Sequence, residues 1–177
     1  MGTRIEGLTL LELVVALAIA ALLVLLATPA YHAWIADMEL RDRVEALVGA
    51  MSFARAEAFK HNNRVDLCPS SDGLHCSATG RWEDGWIMFA DDNDNGDRDD
   101  DETIVRVEAK SYPGITVRGN KPVRNYVSYM SFGQTRMTTG ALQMGTFTVC
   151  RQGQKQVDVV LANGGRVRVN RTNIACP

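Results

Sequence analysis

The sequence predicts an α+β fold, with one long N-terminal helix lying on antiparallel β-sheet. Two observations carry the prediction. A long apolar run passes into a stripe of helical period, and the rest of the chain is a series of short β-branched and aromatic segments divided by turn residues. At 177 residues and 46% hydrophobic composition, the chain can hold one membrane-length segment and one domain with a core. It is neither a disordered sequence nor a repeat array.

The first element is "LTLLELVVALAIAALLVLLA", residues 8–27, in which Glu12 is the only charged side chain. About 20 residues rising about 1.5 Å each cover a hydrocarbon core of about 30 Å. Arg4 ahead of it favours a cytoplasmic start. An ordinary signal peptide has the same length, but a carboxylate at this depth costs about 2.5 to 3.5 kcal/mol on insertion scales. Glu12 therefore needs a cation, and no basic side chain lies within a helical turn or two in its own segment. Cleavage after Gly7 would supply one, a new amine on Leu8 available to a neighbouring copy or partner.

Past Pro29 the helix is expected to leave the membrane and continue. Leu40, Val44, Leu47, Val48, Met51, Ala54 and Ala58 recur at spacings of three and four, while Arg41, Asp42, Glu45, Arg55 and Glu57 lie mostly off that stripe. The "HNNR" stretch closes the helix near Lys60. Strands are predicted at "RVDLC", "GWIMFA", "TIVRVEA", "GITVRG", "NYVSYM", "GTFTVCR", "QVDVVLA" and "RVRVN", with no second long helix.

Cys68, Cys76, Cys150 and Cys176 all lie beyond the membrane-length segment. In an exported, oxidising setting an even count suggests two bridges, and three pairings are possible. Cys68–Cys76, closing "CPSSDGLHC", and Cys150–Cys176, stapling the C-terminus to a nearby strand, are favoured. A zinc site is disfavoured because no C-x-x-C pair exists and the three histidines are scattered.

The net charge of −2 hides a separation of sign. Residues 83–102 carry a net −9 and residues 103–177 a net +9. In the acidic block, Asp91, Asn93, Asn95, Gly96 and Glu102 fit the calcium-loop pattern D-x-[DN]-x-[DN]-G-x5-E, with Asp97 completing the candidate ligand set. The preceding "WIMFA" alternates as a strand, so the other reading is a solvated hairpin loop held by Asx turns.

The basic half ends in "VDVVLANGGRVRVNRTN", a hairpin with "NGG" at its turn. Alternation puts Arg166 and Arg168 on the face opposite Val167 and Val169, about 7 Å apart along the strand. A solvated face is the ordinary meaning of such a strand; a grip on a nucleic-acid backbone is the functional one. Gly165, Arg171, Lys121, Arg124, Arg151 and Lys155 are candidates to extend that patch.

"GLTLLELVVALAIAALL" resembles the class III signal of type IV pilins and pseudopilins, in which Gly precedes Phe-Thr-Leu-Ile-Glu and an apolar helix; Leu8 stands where Phe is usual. The resemblance implies a leader at 1–7, a transmembrane and assembly helix at 8–28, its amphipathic continuation at 29–62, and a β-rich pilin domain at 63–177. It implies cleavage by a prepilin peptidase between Gly7 and Leu8, methylation of the new amine, and pairing of Glu12 with the N-terminus of an adjacent subunit. "RAEAFKHNNRVDLCPSSDG", "WEDGWIMFADDNDNGDRDDDE" and "TIVRV" resemble the GspH/FimT group of minor pilins and pseudopilins. FimT-like members of that group carry a Gly-Arg-x-Arg motif and serve DNA uptake in natural transformation, and Gly165-Arg166-Val167-Arg168 is similar to that motif.

The resemblance thus implies a non-enzymatic minor pilin that binds double-stranded DNA through Arg166 and Arg168, with other major and minor pilins as partners. It places the chain as a single-pass inner-membrane protein with a periplasmic C-terminal domain, reaching the cell surface in a pilus. No cofactor is expected beyond the calcium candidate. The alternative is a structural minor pilin or type II secretion pseudopilin, GspH- or FimU-like, without DNA binding. A tethered enzyme is disfavoured, since no G-x-S-x-G or H-E-x-x-H motif occurs.

Overall fold

A computed structural model of the chain describes residues 9–109 and 111–177. Gly7 and Leu8, the expected processing site, lie outside the described residues. The chain divides into two compact units between Asp37 and Met38. Helix α1 runs Leu10–His61, with Pro29 inside it.

In the first unit α1 is long and apolar enough to cross a membrane, and its large apolar side chains, from Leu10 to Leu25, are exposed wherever they are described. Thr9 caps its start. The Thr9 N–H and hydroxyl both donate to Glu12 Oε2 at 3.1 Å, and the Glu12 N–H donates to Thr9 Oγ1 at 3.3 Å. This reciprocal T-x-x-E arrangement satisfies main-chain donors that a helix N-terminus otherwise leaves unpaired.

The second unit begins where α1 acquires its buried stripe. Leu40, Val44, Leu47, Met51, Ala54 and Ala58 are buried as expected, and Val48 is half-buried against the same core. Each large member contributes about 1.5 to 3 kcal/mol by leaving water. The latter half of the helix thus belongs to the sheet core, as its apolar stripe predicts. The helix closes with Asn62 at φ +50°, and the Asn63 N–H donates back to the Ala58 carbonyl at 3.3 Å. Asparagine tolerates that left-handed turn better than most residues.

Beyond α1 come eight strands: β1 Val65–Pro69, β2 Trp86–Ala90, β3 Ile104–Glu108, β4 Ile115–Gly119, β5 Val127–Tyr129, β6 Gly145–Arg151, β7 Lys155–Leu161 and β8 Val167–Ala175. They form two four-stranded sheets, ordered β3-β2-β1-β5 and β4-β6-β7-β8, with every neighbouring pair antiparallel. Strand β2 is wholly apolar because both of its faces are covered, and β1 beside it is buried along its whole length. One face meets the main core, and the other carries Cys68, Ile87 and Phe89 under Cys76 and Tyr126. Both favoured disulfides are present, Cys68–Cys76 and Cys150–Cys176, with Cα atoms 5.4 and 5.5 Å apart.

A short 3-10 turn at Trp82–Asp84, not anticipated from the sequence, ties the sheets together. Trp82 is fully buried, meets the Phe147 ring edge-on at 5.1 Å, and donates its indole N–H to the Arg124 carbonyl at 2.9 Å. Arg43 is a buried charge on the inner face of α1. It donates to the carbonyls of Trp82 and Ala109 and lies 3.9 Å over the Trp86 ring. Burial lowers its pKa to about 10, which still leaves it charged at neutral pH.

Candidate nucleic-acid interface

The hairpin of β7 and β8 turns through Asn163, Gly164 and Gly165. The Gly165 N–H donates to the Ala162 carbonyl and the Ala162 N–H to the Arg166 carbonyl, both at 2.9 Å. Gly165 has φ +73°, the left-handed residue that a three-residue hairpin loop needs. It is buried against a neighbouring loop: an added Cβ would lie 2.2 Å from the Gly133 carbonyl oxygen, and the Tyr129 hydroxyl donates to the Gly165 carbonyl at 3.2 Å. The glycine therefore locks the turn to the body of the domain and fixes where β8 starts.

From that start, alternation sets the side chains. Val167 packs against the core, while Arg166 and Arg168 are exposed on the face away from α1. Among the described residues neither guanidinium has a hydrogen-bond or ion-pair partner. β8 is the edge of its sheet. Charged side chains on an edge strand also discourage edge-to-edge pairing.

The other candidates divide. Arg171 has the parity of Val169 and lies on the α1 side, lining a groove of about 310 Å³ with Arg41, Val44, Glu45, Val157 and Val169. Arg151 is opposite Ile115, also on the α1 side, and is ion-paired with Glu39. Neither joins Arg166 and Arg168 on one face, because an odd offset along a strand reverses the side. Lys155 lies at the far end of the hairpin and donates to Asn173 Oδ1 at 3.1 Å. Lys121 and Arg124 are exposed at a 3-10 turn, Lys121–Val123, that follows β4 at the opposite sheet edge. Arg118, which sequence reasoning missed, stands beside them; the alternation in "ITVRG" already marked it as outward-facing.

The acidic loop between β2 and β3 is organised around its own backbone. Asp91 Oδ1 accepts the Asn95 N–H at 3.1 Å and Oδ2 the Gly96 N–H at 3.0 Å. Glu102 accepts the Asp92 and Asp99 N–H groups at 2.9 and 3.0 Å. Asn93 and Asn95 turn their amide nitrogens to Asp99 Oδ2, and Asp97 accepts the Arg98 N–H. Burial raises the Glu102 pKa above the ordinary carboxylate value. Among the described residues no group of three or more His, Cys, Asp or Glu is arranged to hold a metal ion. The loop is flanked by strands β2 and β3, and its Asp91 and Glu102 oxygens are engaged by main-chain N–H groups of the loop itself.

The profile of the family described as Type II transport protein GspH matches residues 43–165. The chain belongs to the GspH family. In fold, this GspH-family chain is similar to the type IV minor pilin FimU of Pseudomonas aeruginosa in two crystal forms. One gives a TM-score of 0.59 at 15% identity, covering 80% of this chain and 97% of FimU; the other gives 0.54 at 14%, covering 77% and 99%. The minor pseudopilin EpsH of the Vibrio cholerae type 2 secretion system aligns at a TM-score of 0.49 and 12% identity, covering 75% and 97%. No curated protein sequence matches the chain. The family match ends at Gly165, one residue before Arg166. Membership therefore accounts for the pilin-like α+β domain and leaves the arginine pair to be explained by its own geometry.

Proposed function

We propose that this GspH-family chain is a minor pilin that binds duplex DNA without sequence preference and supports DNA uptake. The observation that carries the reading is the pair Arg166 and Arg168, side by side on an exposed face, with no carboxylate among the described residues engaging either. Guanidinium groups in this state neutralise phosphates and release condensed counterions, giving affinity without base readout. Such indifference suits DNA of arbitrary sequence. Affinity per subunit is modest, and several subunits on one filament would add avidity.

In the same reading the apolar part of α1 anchors the chain in the inner membrane, with the second unit in the periplasm until assembly brings it to the cell surface. A prepilin peptidase releases residues 1–7, and Glu12 then exchanges its Thr9 contacts for the N-terminal amine of an adjacent pilin. Titration of a labelled duplex into the full chain in uncharged detergent tests the DNA claim. Arg166→Ala/Arg168→Ala should weaken binding at least tenfold at low salt; equal affinity of the two proteins would refute it. The similarity to FimU and the end of the family match before Arg166 favour a second reading, an architectural subunit without DNA binding. That reading gains if both proteins fail to bind.

A further inference from the structure

The second sheet has basic side chains at both of its edges on the same face. Registers place Arg118, Thr148, Asp158 and Asn170 in one cross-strand row and Thr146, Val160 and Arg168 in the next. These positions alternate with Val117, Val149, Val159 and Phe147 of the core, so they all face away from α1. Three strand spacings and a two-residue offset separate Arg118 from Arg168 by about 16 Å. The Asn120 N–H bonds to Thr146, which brings the Lys121–Val123 turn level with the Arg166 end of β8.

A cavity of about 500 Å³ opens at the β4 edge, lined by Thr79, Gly80, Arg118, Gly119, Lys121 and Arg124. Arg118 is held there by Glu83, a buried carboxylate that also accepts the Val117 N–H. Lys121 and Arg124 are exposed, and among the described residues neither side chain has a hydrogen-bond or ion-pair partner. Three cations and a hydroxyl make a lining suited to a phosphate group, and Gly80 leaves room for the Arg124 side chain that packs over it.

We propose that this cavity is a second phosphate subsite, and that a duplex lies across the strands with one phosphate run on the cavity and the other on Arg166 and Arg168. The proposal rests on the DNA-binding reading above. A separation of about 16 Å is comparable with the span between phosphate runs flanking a major groove about 12 Å wide. A single strand tracks one edge and does not need both. Between the edges lie Thr146, Thr148 and Val160, with one carboxylate among them, Asp158, which accepts from Gln156 at 2.8 Å and from Thr148 at 3.4 Å.

The test compares Lys121→Ala/Arg124→Ala with Arg166→Ala/Arg168→Ala in the full chain, using a labelled duplex of about 20 base pairs and the matching single strand. The Lys121/Arg124 pair should lower duplex affinity about tenfold and flatten the log-log salt slope by about 1 to 2, with a smaller effect on the single strand. Lys121→Arg/Arg124→Lys keeps both charges and should restore duplex binding; failure to restore it would assign the loss to altered structure and overturn the subsite. Duplex binding that needs Arg166 and Arg168 but ignores Lys121 and Arg124 would overturn the subsite alone. Wild-type protein that binds no DNA would overturn both readings.

Discussion

At Gly165 any side chain would have to take φ +73° and push into the Gly133 carbonyl. Gly165→Ala should cost about 2 kcal/mol or more, the left-handed penalty plus a backbone clash, read as a lower urea midpoint. The glycine before the arginines is thus a structural requirement of their presentation. That much was not legible in the motif itself, because the Gly133 contact joins residues far apart in sequence. The outward direction of Arg166 and Arg168 was legible from alternation, and the same parity placed Arg171 on the α1 side. Asp66 is a second residue whose role the sequence hides. It is fully buried opposite Ser128, beside Asp91, and burial raises its pKa well above the ordinary value. A carboxyl with a raised folded-state pKa favours the native state below the unfolded value and loses that contribution as pH rises. Stability should fall as pH climbs from about 4 through the raised pKa, and Asp66→Asn should flatten that decline in denaturation measured across pH.

Among the elements, all eight strands and the end of α1 were readable because β-branched runs and turn residues mark them locally. What escaped was set by distant partners. The Trp82–Asp84 turn exists because Trp82 fills the space between the sheets, and Arg43 is buried because the Trp82 and Ala109 carbonyls and the Trp86 ring receive it. β8 extends to Ala175, past the expected end at Asn170, because β7 pairs along it through a bulge and the Cys150–Cys176 bond holds its end. Cysteines 26 residues apart close a loop whose removal from the unfolded ensemble contributes about 3 to 4 kcal/mol. Cys150→Ser/Cys176→Ser should therefore lower thermal stability by several degrees and speed hydrogen exchange in the last residues of β8, with Arg166 at the other end less affected.

For the whole molecule, the charge separation in the sequence becomes a separation in space. Most of the acidic block, residues 91–102, is the loop joining β2 and β3 in one sheet, while Arg118, Arg166 and Arg168 stand on the outer face of the other; Glu83, earlier in the block, meets Arg118. The near-neutral composition concealed this. Asp158, between the two basic edges, opposes an approaching phosphate backbone, so Asp158→Asn should tighten duplex binding a few-fold in the same titration. The pilin identity was carried by the N-terminal pattern and the family body, whereas the DNA-binding role proposed for the C-terminal hairpin rests on residues beyond both. The most direct measurement is duplex affinity of the full chain across a salt series, for wild type and Arg166→Ala/Arg168→Ala. A steep log-log slope that flattens by about 1 to 2 in the variant is the predicted result. Parallel lines of equal affinity for the two proteins would contradict it.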